Sequence, residues 1–152
     1  MSTKIELKIQ TQIDLELFEH GTTFRLVRLI SKVRLKTDVG WTRALEGIID
    51  TGSVISVLPY YAWKDTDLRL LSFKKTILRG IAPQKDAVIK AKMAEIVCSF
   101  HDKNNISQPL KIKAYLLADN SVPLIIGFED VLTNVKLVSD YKSDYAYLEF
   151  DP

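Results

Sequence analysis

Short apolar runs, many rich in β-branched residues and each closed by a polar turn, recur from Ile5 to Phe150, and little between them has helical period. Ile5, Leu7, Ile9, Ile13, Leu15 and Leu17 alternate with Lys4, Glu6, Lys8, Gln10, Gln12, Asp14 and Glu16. That period of two marks a strand with one wet face. The stretch exceeds the usual five or six residues of one strand, so a bend near Thr11-Gln12 is expected. A turn at His20-Gly21 separates it from the apolar run Phe24 to Lys36, which a turn at Asp38-Val39-Gly40 closes. Arg43 to Ile49 reads as a strand, resumed at Val54 to Leu58, with Pro59 opening a short helix through Trp63. Leu68 to Leu78, Ala87 to Phe100 and Leu110 to Ala118 are further strands, with a turn over Gly80 to Asp86 and a polar loop over His101 to Pro109. Leu124 to Gly127 is a short buried strand, Phe128 to Thr133 one or two turns of helix, and Val135 to Val138 and Tyr145 to Phe150 are the closing strands. Many short strands with regular turns and little helix predict an all-β sandwich or barrel.

Composition narrows what such a barrel can do. With 152 residues, 47% of them hydrophobic and 26% charged, the chain is one globular domain that buries a core without disulfides or metal. Its 21 basic and 19 acidic residues leave +2, which lacks the dense basic face of a nucleic-acid binder. A single cysteine, Cys98, and two histidines, His20 and His101, give no multi-cysteine zinc site and little for a histidine one, so no metal or cofactor is expected. The start, Met1 to Lys8, alternates charged and apolar residues instead of forming a signal-like apolar stretch, and no run approaches the roughly 20 residues that span a bilayer. A cytoplasmic protein without membrane or nucleic-acid partners is expected.

The chemistry concentrates at Ile48-Ile49-Asp50-Thr51-Gly52-Ser53. Two β-branched aliphatics bury the end of a strand, and a carboxylate directly after them is costly unless it is paired, hydrogen-bonded or functional. Thr51 and Ser53 supply hydroxyls, and Gly52 lets backbone approach the carboxylate. Taken alone, the segment also reads as an ordinary Asp-Thr-Gly turn. A second segment, Leu124-Ile125-Ile126-Gly127, starts 74 residues after Asp50. Together the two resemble the retroviral-type, retropepsin-like aspartic proteases, in which an apolar-apolar-Asp-Thr-Gly-Ala/Ser strand carries the catalytic Asp and a later Ile-Ile/Leu-Gly segment packs against its loop. Ser56 matches the recurrent Ser or Thr six positions after that Asp, Leu58-Pro59 the start of a short helix in cellular and bacterial members, and Arg79-Gly80-Ile81-Ala82 the place of the flap hairpin. The resemblance covers about residues 24–150.

It implies a closed barrel-like acid-protease fold with one or two short helices and a flap hairpin, an extension over 1–20 and a protease domain over 21–152. It also implies a homodimer, because one chain supplies one catalytic carboxylate. Asp50 and its symmetry mate would share a proton and activate a water against a peptide bond, with a rate maximum on the acid side of neutrality. Thr51 would bond across the two-fold axis, Gly52 would bond Asp50 or substrate through its backbone, and Ser53 would bond the outer carboxylate oxygen. Val54, Ile55, Gly80, Ile81 and Ala82 would line the groove for a protein or peptide substrate, and Ile126 and Gly127 would pack the second motif under the loop. Two positions depart from the viral pattern: Val54 and Phe128 stand where an acid–arginine pair is frequent, which suggests replacement by apolar packing. Pro83 stiffens the flap tip.

Other residues weigh less. Cys98 lies in an apolar strand and reads as a buried structural thiol. His20 and His101 flank turns and are expected to be solvated. Trp41, Tyr60, Tyr61 and Trp63 fit packing better than a peptide platform. Two alternatives stay open: a non-catalytic dimeric peptide-binding module on the same fold, and a subunit that adds residues 1–20 to another sheet.

Overall fold

The computed structural model describes residues 1–71, 76–78 and 89–152, without the side chains of 76–78 and 89. In chain order the elements are β1 (Thr3–Glu6), β2 (Lys8–Ile13), α1 (Leu15–Glu19), β3 (Arg25–Thr37), β4 (Gly40–Trp41), β5 (Leu45–Ile49) and β6 (Ser56–Leu58). There follow α2 (Tyr60–Trp63), β7 (Leu68–Leu70), β8 (Thr76–Leu78), β9 (Ile89–His101), β10 (Leu110–Leu117) and β11 (Ile125–Ile126). A 3₁₀ turn (Leu132–Asn134), β12 (Val135–Asp140) and β13 (Tyr145–Phe150) close the chain.

Strands β3, β5, β11, β6, β10 and β9 pair in that order, and β3 pairs again with β9, which closes a six-strand barrel. Alternation along β3 builds its wall: Leu29, Ser31, Val33 and Leu35 are buried, while Lys32, Arg34 and Lys36 face water. A separate three-stranded sheet, β1–β13–β12, packs over the barrel. Ile5, Leu148 and Phe150 from that sheet belong to the same apolar cluster as Phe100 of β9, with the Phe100 and Phe150 ring centroids 5.6 Å apart. Each fully buried side chain of this kind is worth about 1.5–3 kcal/mol, enough to hold the N-terminal strand on the domain.

Several elements differ from the sequence expectation. The break in the first segment falls at Leu7, not Thr11-Gln12, because Leu7 turns into the core and donates its N–H to the Ala146 carbonyl at 2.9 Å. Leu15 and Leu17 belong to a helix instead of a strand: Asp14 caps it, its Oδ1 accepting the Leu17 N–H at 3.1 Å. The expected strand from Leu68 to Leu78 is two strands, β7 and β8, which pair at different places along β9. Phe128 to Thr133 forms turns leading into the 3₁₀ turn, without an α-helix. The short helix after Pro59 is present as α2, with Ala62 buried. Among the described residues no helix is long and apolar enough to cross a membrane.

Candidate active site

Asp50 stands where β5 runs out of the barrel. Ile48 and Ile49 pair in parallel with Ile125 and Ile126 of β11, and the ladder carries one step further: the Asp50 N–H donates to the Ile126 carbonyl at 2.9 Å. The backbone of Asp50 is thus fixed as strand while its half-buried side chain has left the core. Its Oδ1 accepts the Gly52 N–H at 2.8 Å, and its carbonyl accepts the Ser53 N–H at 3.2 Å. A Cβ on Gly52 would sit 3.2 Å from Oδ1, so glycine keeps the loop close to the carboxylate.

The second motif locks this loop. The Phe128 N–H donates to the Ser53 carbonyl at 3.0 Å and the Glu129 N–H to the Val54 carbonyl at 2.8 Å. Buried Ser56 accepts the Gly127 N–H on its Oγ at 3.0 Å. Gly127 itself sits against backbone: an added Cβ would lie 2.7 Å from the Ser53 oxygen and 2.8 Å from the Ile55 carbonyl carbon. Ile126 is fully buried beneath, where Gly47 makes room, its own missing Cβ 3.1 Å from Ile126 Cγ1. Below the second motif, Lys113 on β10 donates its N–H to Asp130 Oδ2 at 2.8 Å and holds its ammonium 3.0 Å from the same oxygen and 3.5 Å from Glu129. The hydrogen bond to Asp130 raises the Lys113 ammonium above its ordinary range. This brace was missed in the sequence, where Lys113 and Asp130 carry no motif.

The structure thus brings Asp50, Gly52, Ser53, Ser56, Ile126 and Gly127 together. Thr51 and Val54 are exposed and Ile55 is half-buried beside them. Ser53 departs from expectation: its Oγ donates to the Ile55 carbonyl at 2.8 Å, closing the loop on itself instead of reaching the Asp50 carboxylate. Val54 and Phe128, which stand where the acid–arginine pair is frequent, are 73% and 40% exposed in the single chain. The flap candidates Gly80, Ile81 and Ala82 lie outside the described residues. His101, expected in solvent, is the last residue of β9, buried opposite Lys32 of β3, and its Nε2 has no hydrogen-bond partner among the described residues. Cys98 is fully buried, and burial pushes its thiol up to about 12, which keeps it protonated at neutral pH. Among the described residues no group of three or more His, Cys, Asp or Glu side chains could hold a metal ion. Cavities of about 660 Å³ beside Trp41 and Tyr61 and about 430 Å³ beside His101 are lined by other residues than Asp50.

The barrel has a counterpart among solved proteins. The crystal structure of a retropepsin-like aspartic protease from Rickettsia conorii superposes with a TM-score of 0.54, over 99% of this chain and 92% of that one, at 14% identity. The chain has a retropepsin-like fold. At that identity the likeness speaks for the fold alone. No protein-family model matches the chain, and no curated protein does. Within the retropepsin-like barrel, Asp50 directly follows the end of β5, and the ladder β5–β11–β6 is what presents it.

Proposed function

We propose that this chain is an aspartic endopeptidase that acts as a homodimer, with Asp50 of each copy forming one catalytic pair. The observation that carries this reading is the division of labour in the loop. Gly127, Phe128, Glu129 and Ser56 hold it by bonds that do not involve the Asp50 carboxylate, which takes a hydrogen bond from Gly52 and stands directly after the end of β5. A side chain so presented, on a loop so constrained, is placed for chemistry on an external molecule.

In the pair, two close carboxylates hold one proton between them. The ionised one removes a proton from a water, the oxygen of which attacks the peptide carbonyl carbon. The protonated one donates its hydrogen bond to the carbonyl oxygen as charge builds there. Collapse of the tetrahedral intermediate breaks the C–N bond, and the nitrogen leaves after taking a proton from the pair. Thr51 braces one loop against the other across the two-fold axis, while Gly52 keeps Asp50 oriented. Val54 and Ile55, with Gly80, Ile81 and Ala82 of the flap segment, form apolar walls that favour apolar side chains beside the cut bond by about 1–3 kcal/mol for a methylene-scale difference.

The test is hydrolysis of a peptide library by the wild-type chain and by Asp50→Asn. Cleavage beside apolar residues that vanishes in the variant supports the reading. Suppression of wild-type activity by excess Asp50→Asn chain, beyond simple dilution, supports the shared site. Peptide binding without hydrolysis by the wild type leaves a binding module on the same fold.

A further inference from the structure

The barrel strand β3 is longer than the barrel needs. Its residues from Leu29 onward pair with β5 and then β9, but among the described residues Arg25 to Arg28 pair only with β2. Past the barrel rim the two strands therefore run on as a two-stranded arm, with α1 across its tip. On one face of this arm Ile9 and Leu29 stand opposite each other and join the core, Leu29 being 6% exposed. The next apolar residues outward on that face, Val27 and Ile13, are 45% and 49% exposed. Leu15, Phe18, Phe24 and Leu26 around the tip are exposed as well, and α1 buries no residue at all. An apolar stripe that is core at one end and bare at the other is not the scatter of single exposed residues found on monomers.

Register places the arm beside the site. The last β3–β5 pair is Leu29 with Ile49, so one step beyond it come Arg28 on the arm and Asp50 on the loop. Exposed Val54 and Phe128 lie on the same Asp50 loop and the turn bonded to it. We infer that the arm, residues 8–30, is the surface on which a second copy of this chain docks, each arm lying along the other beside the Asp50 loops. This rests on the proposed homodimer and names the surface that builds it. Arg25, opposite Ile13 at the tip, offsets part of the charge of Asp14, Glu16 and Glu19, and Lys8 and Arg28 stand on the other face of the ribbon from Ile9, Val27 and Ile13, so apolar burial and not charge carries a two-fold pairing of the arms. The bare side chains amount to on the order of several hundred Å² per copy, the scale that one partner brings to a standard interface. The outer edge of β2, which ends its sheet, adds open N–H and C=O groups for strand pairing.

The test is sedimentation equilibrium of the full chain, with Leu15→Glu/Val27→Lys, Phe18→Asp and, as a control away from the arm, Val39→Lys. All four positions are exposed, and circular dichroism checks that each variant stays folded. The expected result is a dimer in the wild type and the control, and dimerisation weakened at least ~100-fold, towards monomer, in both arm variants. Arm variants that dimerise like the wild type overturn the inference and leave the peptidase reading standing. A wild type that stays monomeric at ~100 μM, whether vesicles or peptides then bind the arm or not, overturns the inference together with the homodimer reading on which it rests. A wild type that dimerises through the arm but hydrolyses nothing in an Asp50-dependent way sinks the peptidase reading alone.

Discussion

Asp50 and Asp102 each head a loop at the end of a barrel strand, and the two loops use their aspartate in opposite ways. Asp102, after β9, is saturated by backbone. Its Oδ2 accepts the Glu6 N–H at 2.7 Å, and its Oδ1 accepts the N–H groups of Asn104 at 2.7 Å and Asn105 at 2.8 Å. Burial works against its charge, but these N–H groups outweigh it and hold the Asp102 carboxyl below its ordinary range. The loop and the β1–β2 junction hang on that one side chain. Asp50, after β5, accepts the Gly52 N–H, and its loop hangs on Gly127, Phe128, Glu129 and Ser56 instead. An acid whose lone pairs are consumed by its own loop is structure. An acid whose loop is secured by other groups keeps its lone pairs for a ligand.

The sharpest way to break that comparison is to neutralise Asp50. Asp50→Asn should cut peptide hydrolysis at least about a thousandfold, the scale of losing positioned acid–base catalysis, and leave the melting temperature where it was. A variant that loses stability with its activity would make Asp50 a second Asp102. Gly127→Ala attacks the other half, the bonds that free Asp50. Its Cβ would overlap the backbone of Ser53 and Ile55, which no rotamer change relieves. A loss of about 1–3 kcal/mol in urea unfolding is expected, together with weakened hydrolysis because the loop must shift. Unchanged unfolding would mean that the second motif does not hold the loop. Asp102→Ala should give the reverse of Asp50→Asn: about 1–3 kcal/mol less stability, from three backbone N–H groups losing their acceptor, with hydrolysis per folded molecule retained. Hydrolysis lost in step with the carboxylate would erase the distinction.

What the sequence made legible follows from where local chemistry and burial agree. Ile48-Ile49-Asp50 is readable because two β-branched residues demand burial and the next residue refuses it. Leu124 to Gly127 is readable because an apolar run ends in a residue whose missing side chain is the point, as the backbone of Ser53 and Ile55 against Gly127 demonstrates. The order of elements from Phe24 to Phe150 largely follows the same logic. The misreadings share another cause. A period of two runs from Ile5 to Leu17 with polar Thr11 as its one lapse, so alternation cannot tell that Leu7 is pulled inward by β13 or that Asp14 starts a helix; the cap itself, Asp14 three residues before Leu17 with Glu16 in the first turn, was the available signal. The Lys113–Asp130 brace, the Ser53–Ile55 closure and the burial of His101 depend on residues far apart in sequence or on loop geometry, and neither is written in composition or periodicity.

The smallest expected effect sits next to Asp102 and separates the two aspartates by pH. His101 is buried with Nε2 unpartnered among the described residues, and burial, then Arg34, then Lys32, hold its imidazolium form down, with the Asp102 charge opposing them. Its folded proton affinity is therefore below the ordinary value of 6.5. Above that pH both folded and unfolded chains carry neutral His101, and its contribution to stability is fully present. As pH falls from 6.5 through the folded value, the unfolded chain takes up a proton that the folded one resists, and stability drains away. Asp102 is also depressed, so its contribution is present above its ordinary 3.8 and is lost only as pH falls from there through its folded value. Urea midpoints measured from pH 8 to pH 3 should therefore fall in two stages, each at most about 1.4 kcal/mol per pH unit. His101→Gln should flatten the upper stage and spare the lower. Asp102→Asn should flatten the lower and extend the upper to more acid pH, because the one negative charge that helps protonate His101 is gone. An upper stage unchanged in His101→Gln would place that titration elsewhere in the molecule and leave Asp102 as a loop anchor with no histidine to sense it.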